Sequence, residues 1–252
     1  MIELGKAFAD EEVVALYRHR PPYPTAVFDR LRGLIVAPRI VLDAGCGTGA
    51  LARGLVKDVA RVDALDPSPA MLAAARRLPH GTDERIRWQL GTAEEAALGG
   101  EYGLITCGAS LHWMRQEVVL PRFRGALAPG ARVAIVDTER VHDEDALRRD
   151  VIALIVRSSP VRDHEETADL VRRLAKTGAL ILEGEERTAP VPFEQSVDEY
   201  VASFGSTASL SRATLGPRAD EFAREVRALF AKHSVDRVRF GVVGYVAWGR
   251  PS

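Results

Sequence analysis

Between residues 40 and 137 the chain alternates between two kinds of hydrophobic pattern. Short, nearly continuous apolar runs occupy 40–43, 59–65, 86–90, 102–107 and 132–136, while Ala-, Leu- and Arg-rich stretches of helical spacing occupy 50–57, 69–78 and 116–127. Strands apolar on both faces, separated by helices, predict a parallel sheet between helical layers. Local start signals agree. Ser68 before Pro69 marks a helix N-terminus with proline in the first turn, and Thr92 with Glu95 fits a capping box.

On either side of this region the pattern changes. Residues 10–19 and 25–35 have helical spacing and flank the stiff segment Arg20-Pro21-Pro22-Tyr23-Pro24. Later come helical stretches at 143–157 and 165–177, a strand near 179–187, and a helix at 197–204 opened by Ser196 and Glu199. An amphipathic helix at 217–233 and a strand at 238–248 follow. Helices at 197–233 interrupt the path between two late strands, which predicts a helical cap on one sheet rather than an independent domain. The expected organisation is a single domain over 1–252, with lid helices in 1–37 and a ligand-binding core in 38–137. The C-terminal half of the sheet falls in 138–252, with its cap at about 196–234.

Composition narrows the function classes. The 252 residues are 46% apolar and 27% charged, an ordinary globular balance with length enough for a sizeable core. A net charge of −1 argues against broad electrostatic capture of nucleic acid or anionic membranes, although arginine is plentiful enough for a local basic patch. No apolar stretch has membrane-spanning length and residues 1–10 carry no leader-like run, so a cytoplasmic protein is expected. Cys46 and Cys107 have no metal-ligand or disulfide spacing and read as small reduced side chains, with no metal expected. His142, His164 and His233 lie in charged helical stretches and read as solvated. No pattern points to an oligomeric state.

The most informative segment is Val41-Leu42-Asp43-Ala44-Gly45-Cys46-Gly47-Thr48-Gly49, which follows the first core strand and opens a helix. Glycines there let the backbone turn tightly and approach a ligand beyond the carboxyl ends of the strands. Asp66 ends the second strand and can accept hydrogen bonds from both hydroxyls of a ribose. Gly45, Gly47 and Ala50 also satisfy the dinucleotide pattern, so a nicotinamide-dependent oxidoreductase remains a rival reading. Asp43, two positions before the glycines, favours a cationic ligand and would repel a pyrophosphate.

The same residues resemble the class I S-adenosylmethionine-dependent methyltransferases. The resemblance rests on Asp43-Ala44-Gly45-Cys46-Gly47-Thr48-Gly49, Leu65-Asp66-Pro67-Ser68, Gly91-Thr92-Ala93-Glu94-Glu95 and Tyr102-Gly103-Leu104-Ile105-Thr106. It extends to Leu111-His112-Trp113 and to Tyr17 with Arg20-Pro21-Pro22-Tyr23-Pro24, and covers roughly residues 17–137. Within the class the chain is similar to the small-molecule branch that includes trans-aconitate methyltransferase-like enzymes. The resemblance implies a Rossmann-like, seven-stranded, mostly parallel α/β sheet with the last strand antiparallel beside the fifth. It implies S-adenosylmethionine as cofactor, with Asp43 and Gly45 bordering the methionine moiety, Asp66 the ribose and Met71 a face of the adenine. Thr92, Ala93 and Glu94 would border the adenine edge; the family often has an acidic residue where Thr92 stands, and Thr92 also suits a helix N-cap. Tyr17, Arg20, Cys46, Gly47, Pro67 and Ser110 complete the expected cofactor set.

Acceptor chemistry is less determined. Transfer of a methyl group to a small molecule, most simply at oxygen, needs chiefly alignment and exclusion of water. His112 is the base candidate for a phenol, amine or acidic carbon, and the alternative is that His112 and Trp113 only wall the pocket. Tyr23, Trp113 and Phe204 are the substrate-side candidates, with Ser203, Ser206, Ser209 and Arg212 in the proposed cap as weaker ones. No Asn/Asp-Pro-Pro-Tyr/Phe segment follows the fourth strand, which disfavours amide and adenine-amine acceptors. A scaffold that binds the cofactor without turnover is the non-enzymatic alternative.

Overall fold

The computed structural model describes Phe8 and residues 10–142, 146–161 and 165–252. His164 and the expected helix start at residues 143–145 lie outside the described residues. In chain order the elements begin α1 (Glu11–Leu16), α2 (Thr25–Leu34), β1 (Ile40–Ala44), α3 (Ala50–Leu55), β2 (Arg61–Asp66), α4 (Pro69–Arg77), β3 (Ile86–Leu90) and β4 (Leu104–Gly108). They continue α5 (Gln116–Ala126), β5 (Val133–Val141), α6 (Ala146–Ser158), α7 (Thr167–Lys176), β6 (Leu180–Arg187) and β7 (Val191–Ser196). The last four are α8 (Val197–Gly205), α9 (Arg212–Leu215), α10 (Arg218–Lys232) and β8 (Arg237–Pro251).

These elements form two compact units from interleaved segments: 23–139, 165–189 and 244–252 in the larger, and 1–22, 140–164 and 190–243 in the smaller. The unit boundary falls after Pro22, inside the stretch expected to be a lid. The strand order is β3-β2-β1-β4-β5-β8-β6, with β7 paired to β8. β1 pairs in parallel with β2 and β4, β2 with β3, and β4 with β5. β8 lies beside β5, as expected, and runs antiparallel to β6 and β7. Among the described residues the sheet therefore has eight strands, one more than expected.

In the larger unit the period-two alternation of the strands divides the core in two. Leu42, Ala44, Leu65, Ile105, Cys107, Val133 and Ile135 pack into one cluster with Phe123 of α5 and Leu170 and Leu174 of α7. Val41, Val62, Ala64, Leu104, Ala134 and Val136 pack into the other, with Leu31 of α2 and Leu51 and Leu55 of α3. Two apolar faces on one sheet are why these strands read as continuous runs rather than alternating ones. The smaller unit has its own core, in which Val151, Leu154, Tyr200, Phe204, Phe222, Val226, Phe230 and Phe240 pack together beside the antiparallel pair of β7 and the first part of β8.

Three local outcomes differ from the sequence expectation. Thr92 caps no helix: residues 92–96 form turns, and the Glu95 and Ala96 amides bond back to the Thr92 carbonyl. A capping box needs a helix to cap, and the apolar periodicity stops here. β7 was not expected because Val191-Pro192-Phe193-Glu194 has no clean alternation; the strand exists because its residues pair with 237–242 of β8. The short α9 was also unforeseen, whereas Ser196 and Glu199 form the expected capping box of α8.

One polar group is buried deep in the larger unit. Asp63 on β2 is 1% exposed, accepts two bonds from Arg61 at 2.9 and 3.0 Å, and accepts another from the Tyr102 hydroxyl at 3.0 Å. Removing a buried carboxylate strands both partners. Asp63→Ala should therefore cost about 3 kcal/mol in urea-denaturation midpoint analysis, and a loss under about 1 kcal/mol would show that Arg61 and Tyr102 find water instead.

Candidate functional site

The loop 45–49 rises from the carboxyl end of β1, and its shape is set by two close approaches. Gly45 has φ of 69°, and a Cβ there would stand 2.6 Å from the Ser110 Cβ. Gly49 has φ of 73°, and a Cβ there would stand 2.3 Å from the Trp88 ring. Any larger residue would push the loop off the ends of β3 and β4. The Ser110 hydroxyl fastens the same approach by donating to the Ala44 carbonyl at 2.7 Å. From the other side, the Gly45 and Cys46 amides donate to the Leu65 carbonyl at 2.8 and 3.0 Å.

Asp43 has an internal task. It is 1% exposed; one oxygen accepts from the Ala52 amide at 3.1 Å, and the other accepts from the Thr106 hydroxyl at 3.0 Å. Gly49 precedes α3 with no side chain to cap it, so a carboxylate from the preceding strand serves one of the helix's first amides. Asp43 lies beneath the loop, with both oxygens engaged by other parts of the chain. Burial, with the nearby Asp66 charge adding to it, outweighs the two hydrogen bonds and pushes its carboxyl up to about 7. Thr106, a polar residue in an apolar strand, was the only sequence signal for its partner.

Asp66 ends β2 under a different constraint. One oxygen accepts from the Gly47 amide at 2.7 Å and the other from the Ser68 amide at 2.8 Å, so the carboxylate ties the glycine loop to the start of α4. It is 7% exposed, and burial raises its carboxyl above the ordinary range despite both bonds. Each oxygen retains acceptor capacity, since a carboxylate offers about four lone-pair sites. Pro67 follows it, Ser68 caps α4 through the Met71 amide at 3.1 Å, and Met71 is 1% exposed.

The turn at 92–96 is held from outside the sheet. Arg122 of α5 donates to the Ala93 carbonyl at 3.0 Å and to the Ala96 carbonyl, and Glu94 accepts from the Arg115 amide at 2.9 Å. The Gly91 amide ties the turn to the Asp66 carbonyl at 3.1 Å. Nothing in the sequence singled out Arg122. Among the described residues, the Thr92 hydroxyl oxygen is buried with no hydrogen-bond partner.

After β4 come Ser110 and a short 3₁₀ turn, Leu111–Trp113, in which the His112 and Trp113 rings lie 4.6 Å apart. Glu165 is held below the ordinary carboxylate range chiefly by hydrogen bonds from Arg173, with His112 nearby adding to the effect. Tyr23 also reaches this edge: its hydroxyl lies 3.0 Å from where a Cβ on Gly108 would be. Cys46 and Cys107 are buried free thiols whose ionisation burial opposes. Among the described residues no group of three or more His, Cys, Asp or Glu could hold a metal ion.

The larger unit thus brings Tyr23, Asp43, Gly45, Cys46, Gly47, Asp66, Pro67, Met71, Thr92, Ala93, Glu94, Ser110, His112 and Trp113 to the carboxyl ends of four neighbouring strands or the segments leaving them. Tyr17, Arg20 and Phe204 belong to the smaller unit. There Arg20 lies over the Tyr17 ring at 4.1 Å and donates to the hydroxyl and carbonyl of Ser206 at 2.8 and 2.6 Å. Phe204 packs edge-on against Tyr200 and Phe222 and lines a cleft with Leu16, Val201 and Leu210.

Comparison with known proteins bears on this edge directly. Residues 41–130, from β1 to the turn before β5, match the methyltransferase domain family. The match takes in the glycine loop, Asp43, Asp66 and the turn at 92–96. The chain is 37% identical over 126 residues to an uncharacterized methyltransferase of Mycobacterium tuberculosis, covering 49% of each chain. It is 40% identical over 104 residues to the trans-aconitate 2-methyltransferase of Methylobacterium radiotolerans, covering 39% of this chain and 38% of that one. The chain therefore spans half or less of the length of these relatives. A candidate type II methyltransferase from Anaeromyxobacter dehalogenans shares the fold, with TM-score 0.59 and 24% identity over 92% of this chain and 99% of that chain.

The matched segment includes every residue that shapes the loop, and its buried carboxylate Asp43 generates a pH signature. Folded Asp43 holds its proton up to about 7, whereas an unfolded aspartate releases it at about 4. Its contribution is complete below the unfolded value and fades as pH rises through the folded one, so stability falls across that window. Asp43→Asn should flatten the decline when stability is measured by denaturant titration at successive pH values. An unchanged slope would assign the titration to Asp66 instead.

Proposed function

We propose that the methyltransferase domain binds S-adenosylmethionine at the carboxyl edge of the sheet and transfers its methyl group to a small-molecule acceptor, with oxygen as the favoured atom. The observation that carries this reading is Asp66, whose two oxygens brace Gly47 and Ser68 while keeping lone pairs for a ribose diol. The domain match over 41–130 supports the same cofactor class. The site also fits the cofactor elsewhere. The unused Thr92 hydroxyl can bond the adenine edge.

When bound, the cofactor supplies an electrophilic methyl group on a sulfonium. The residues of this chain bind, orient and shield it. Asp66 holds the ribose, and Gly45, Cys46 and Ser110 frame the methionine end. His112 and Trp113 wall the acceptor side with Tyr23, and His112 accepts a proton only where the acceptor brings one. The trans-aconitate enzyme among the relatives, by its name, methylates a small acid; that supports a small-molecule acceptor here and leaves nucleic acid aside.

Calorimetry with S-adenosylhomocysteine and with NAD(H) tests the cofactor. Binding of the former is expected, and tight NAD(H) binding without it would replace the reading with an oxidoreductase. Asp66→Ala should weaken S-adenosylhomocysteine by about 1–3 kcal/mol, roughly 5- to 150-fold, through the lost ribose bonds; an unchanged dissociation constant removes Asp66 from the site. For the acceptor side, His112→Ala should lower turnover of phenols or amines and spare carboxylate acceptors, measured as S-adenosylhomocysteine release across a panel. Equal losses with both classes would make His112 a positioning residue. Cofactor binding with no turnover on any acceptor would favour a non-catalytic binder.

A further inference from the structure

The first turn of α3 departs from ordinary helical pairing at one carbonyl. In an uninterrupted helix the Thr48 carbonyl would accept from the Ala52 amide, four residues on, but that amide donates to Asp43. Arg53 takes its place, donating from Nε to the Thr48 carbonyl at 3.1 Å. Its Nη1 donates away from the loop, to the Pro79 carbonyl at 3.1 Å. Burial lowers the guanidinium, and among the described residues no charged group offsets that. A half-buried cation given carbonyls instead of a carboxylate recovers its hydrogen bonds but not its desolvation. The gain is geometric: one planar fork joins two segments that are distant in sequence.

Trp88 of β3 joins the same two segments. Its ring lies against Gly49, and its Nε1 donates to the Gly81 carbonyl at 2.9 Å. Residues 79–81 are themselves seated on the end of α4: the Leu78 amide donates to the Ala75 carbonyl at 3.2 Å, and the Gly81 amide to the Leu78 carbonyl at 2.8 Å. The start of α4 is tied to Asp66 through the Ser68 amide. These contacts close a ring that runs from the glycine loop through Asp66 and α4 to residues 79–81, and back through Arg53 and Trp88. A loop with several positive φ angles needs such outside restraint to keep its amides in one arrangement.

We propose that Arg53 is a positioning residue for the cofactor: it sets the glycine loop by gripping the Thr48 carbonyl, with residues 79–81 as its anchor and Trp88 as a second strut. It acts through the loop rather than on the ligand. The ring of contacts makes 79–81 a control point, so that a change there alters cofactor affinity without reaching the binding edge. The inference rests on the S-adenosylmethionine reading above, and its experiment includes a measurement on the free protein that does not.

Amide hydrogen exchange on the free full chain would be paired with S-adenosylhomocysteine calorimetry, both at a temperature where circular dichroism shows each variant folded. Arg53→Ala should speed exchange of the hydrogen-bonded amides of Gly47, Gly49 and Ala52 at least about tenfold. It should weaken S-adenosylhomocysteine by at least about tenfold, as expected for losing bonds from a charged donor. Arg53→Lys should recover both to within about threefold of the unaltered chain, since an ammonium reaches one carbonyl where the fork reaches two. Trp88→Phe keeps a ring against Gly49 and loses the Gly81 bond, so it should weaken the ligand about threefold. Combined with Arg53→Ala it should add less than its separate effect, because both struts share one anchor. Arg85→Ala, which removes a surface pair with Asp83 just beyond the anchor, should change neither measurement. Should Arg53→Ala fail to fold, Arg53→Lys and Trp88→Phe carry the test. An unchanged dissociation constant in Arg53→Ala, even with a lower melting temperature, makes Arg53 structural only and overturns the proposal while leaving the cofactor reading intact. No S-adenosylhomocysteine binding by the unaltered chain removes the cofactor reading; faster loop exchange in Arg53→Ala would still uphold the brace, and unchanged exchange would remove it too.

Discussion

The larger unit is organised around a carboxylate that water does not reach. Asp43 joins β1 to the first turn of α3 and to Thr106 of β4, so the glycine loop is suspended between fixed points. Its desolvation is expensive, and the two hydrogen bonds recover only part of that cost, as the raised carboxyl shows. What the arrangement secures is position. A helix whose N-cap is glycine would otherwise have an open first turn, and a loop with several positive φ angles has no conformational preference of its own. Asp66 then repeats the device one strand over, with Gly47 and Ser68 as its clients.

The fold was legible because its core strands are buried on both faces and its helices begin with chemistry that declares itself. Ser68-Pro69 and Ser196 with Glu199 each open a helix where expected. β7 escaped notice because its reason for existing is long-range: pairing with β8, more than 40 residues onward, supplies what its own sequence lacks. Thr92 misled for the opposite reason. A capping signature was present, but Arg122 and the Asp66 carbonyl hold its segment as turns.

The candidate site was readable to a similar depth. Glycine spacing and the acid at the end of β2 mark where a ligand loop lies, since they are local features of the chain. How each group is used is not local. That Asp43 faces inward follows from Thr106 and Ala52, residues on two other elements.

β8 has a significance beyond its place in the strand order. Residues 237–242 take their register from β7 and residues 245–251 take theirs from β6, with a shift opposite Leu182 and Gly184. A strand slipped by one residue turns every side chain to the other face. Here such a slip would be penalised at both ends of one continuous segment, burying Arg239 in place of Phe240 and turning Tyr245 and Ala247 away from their core. The strand acts as its own proofreader, and an inserted residue could be absorbed only near 243–244, where pairing passes from one partner to the other.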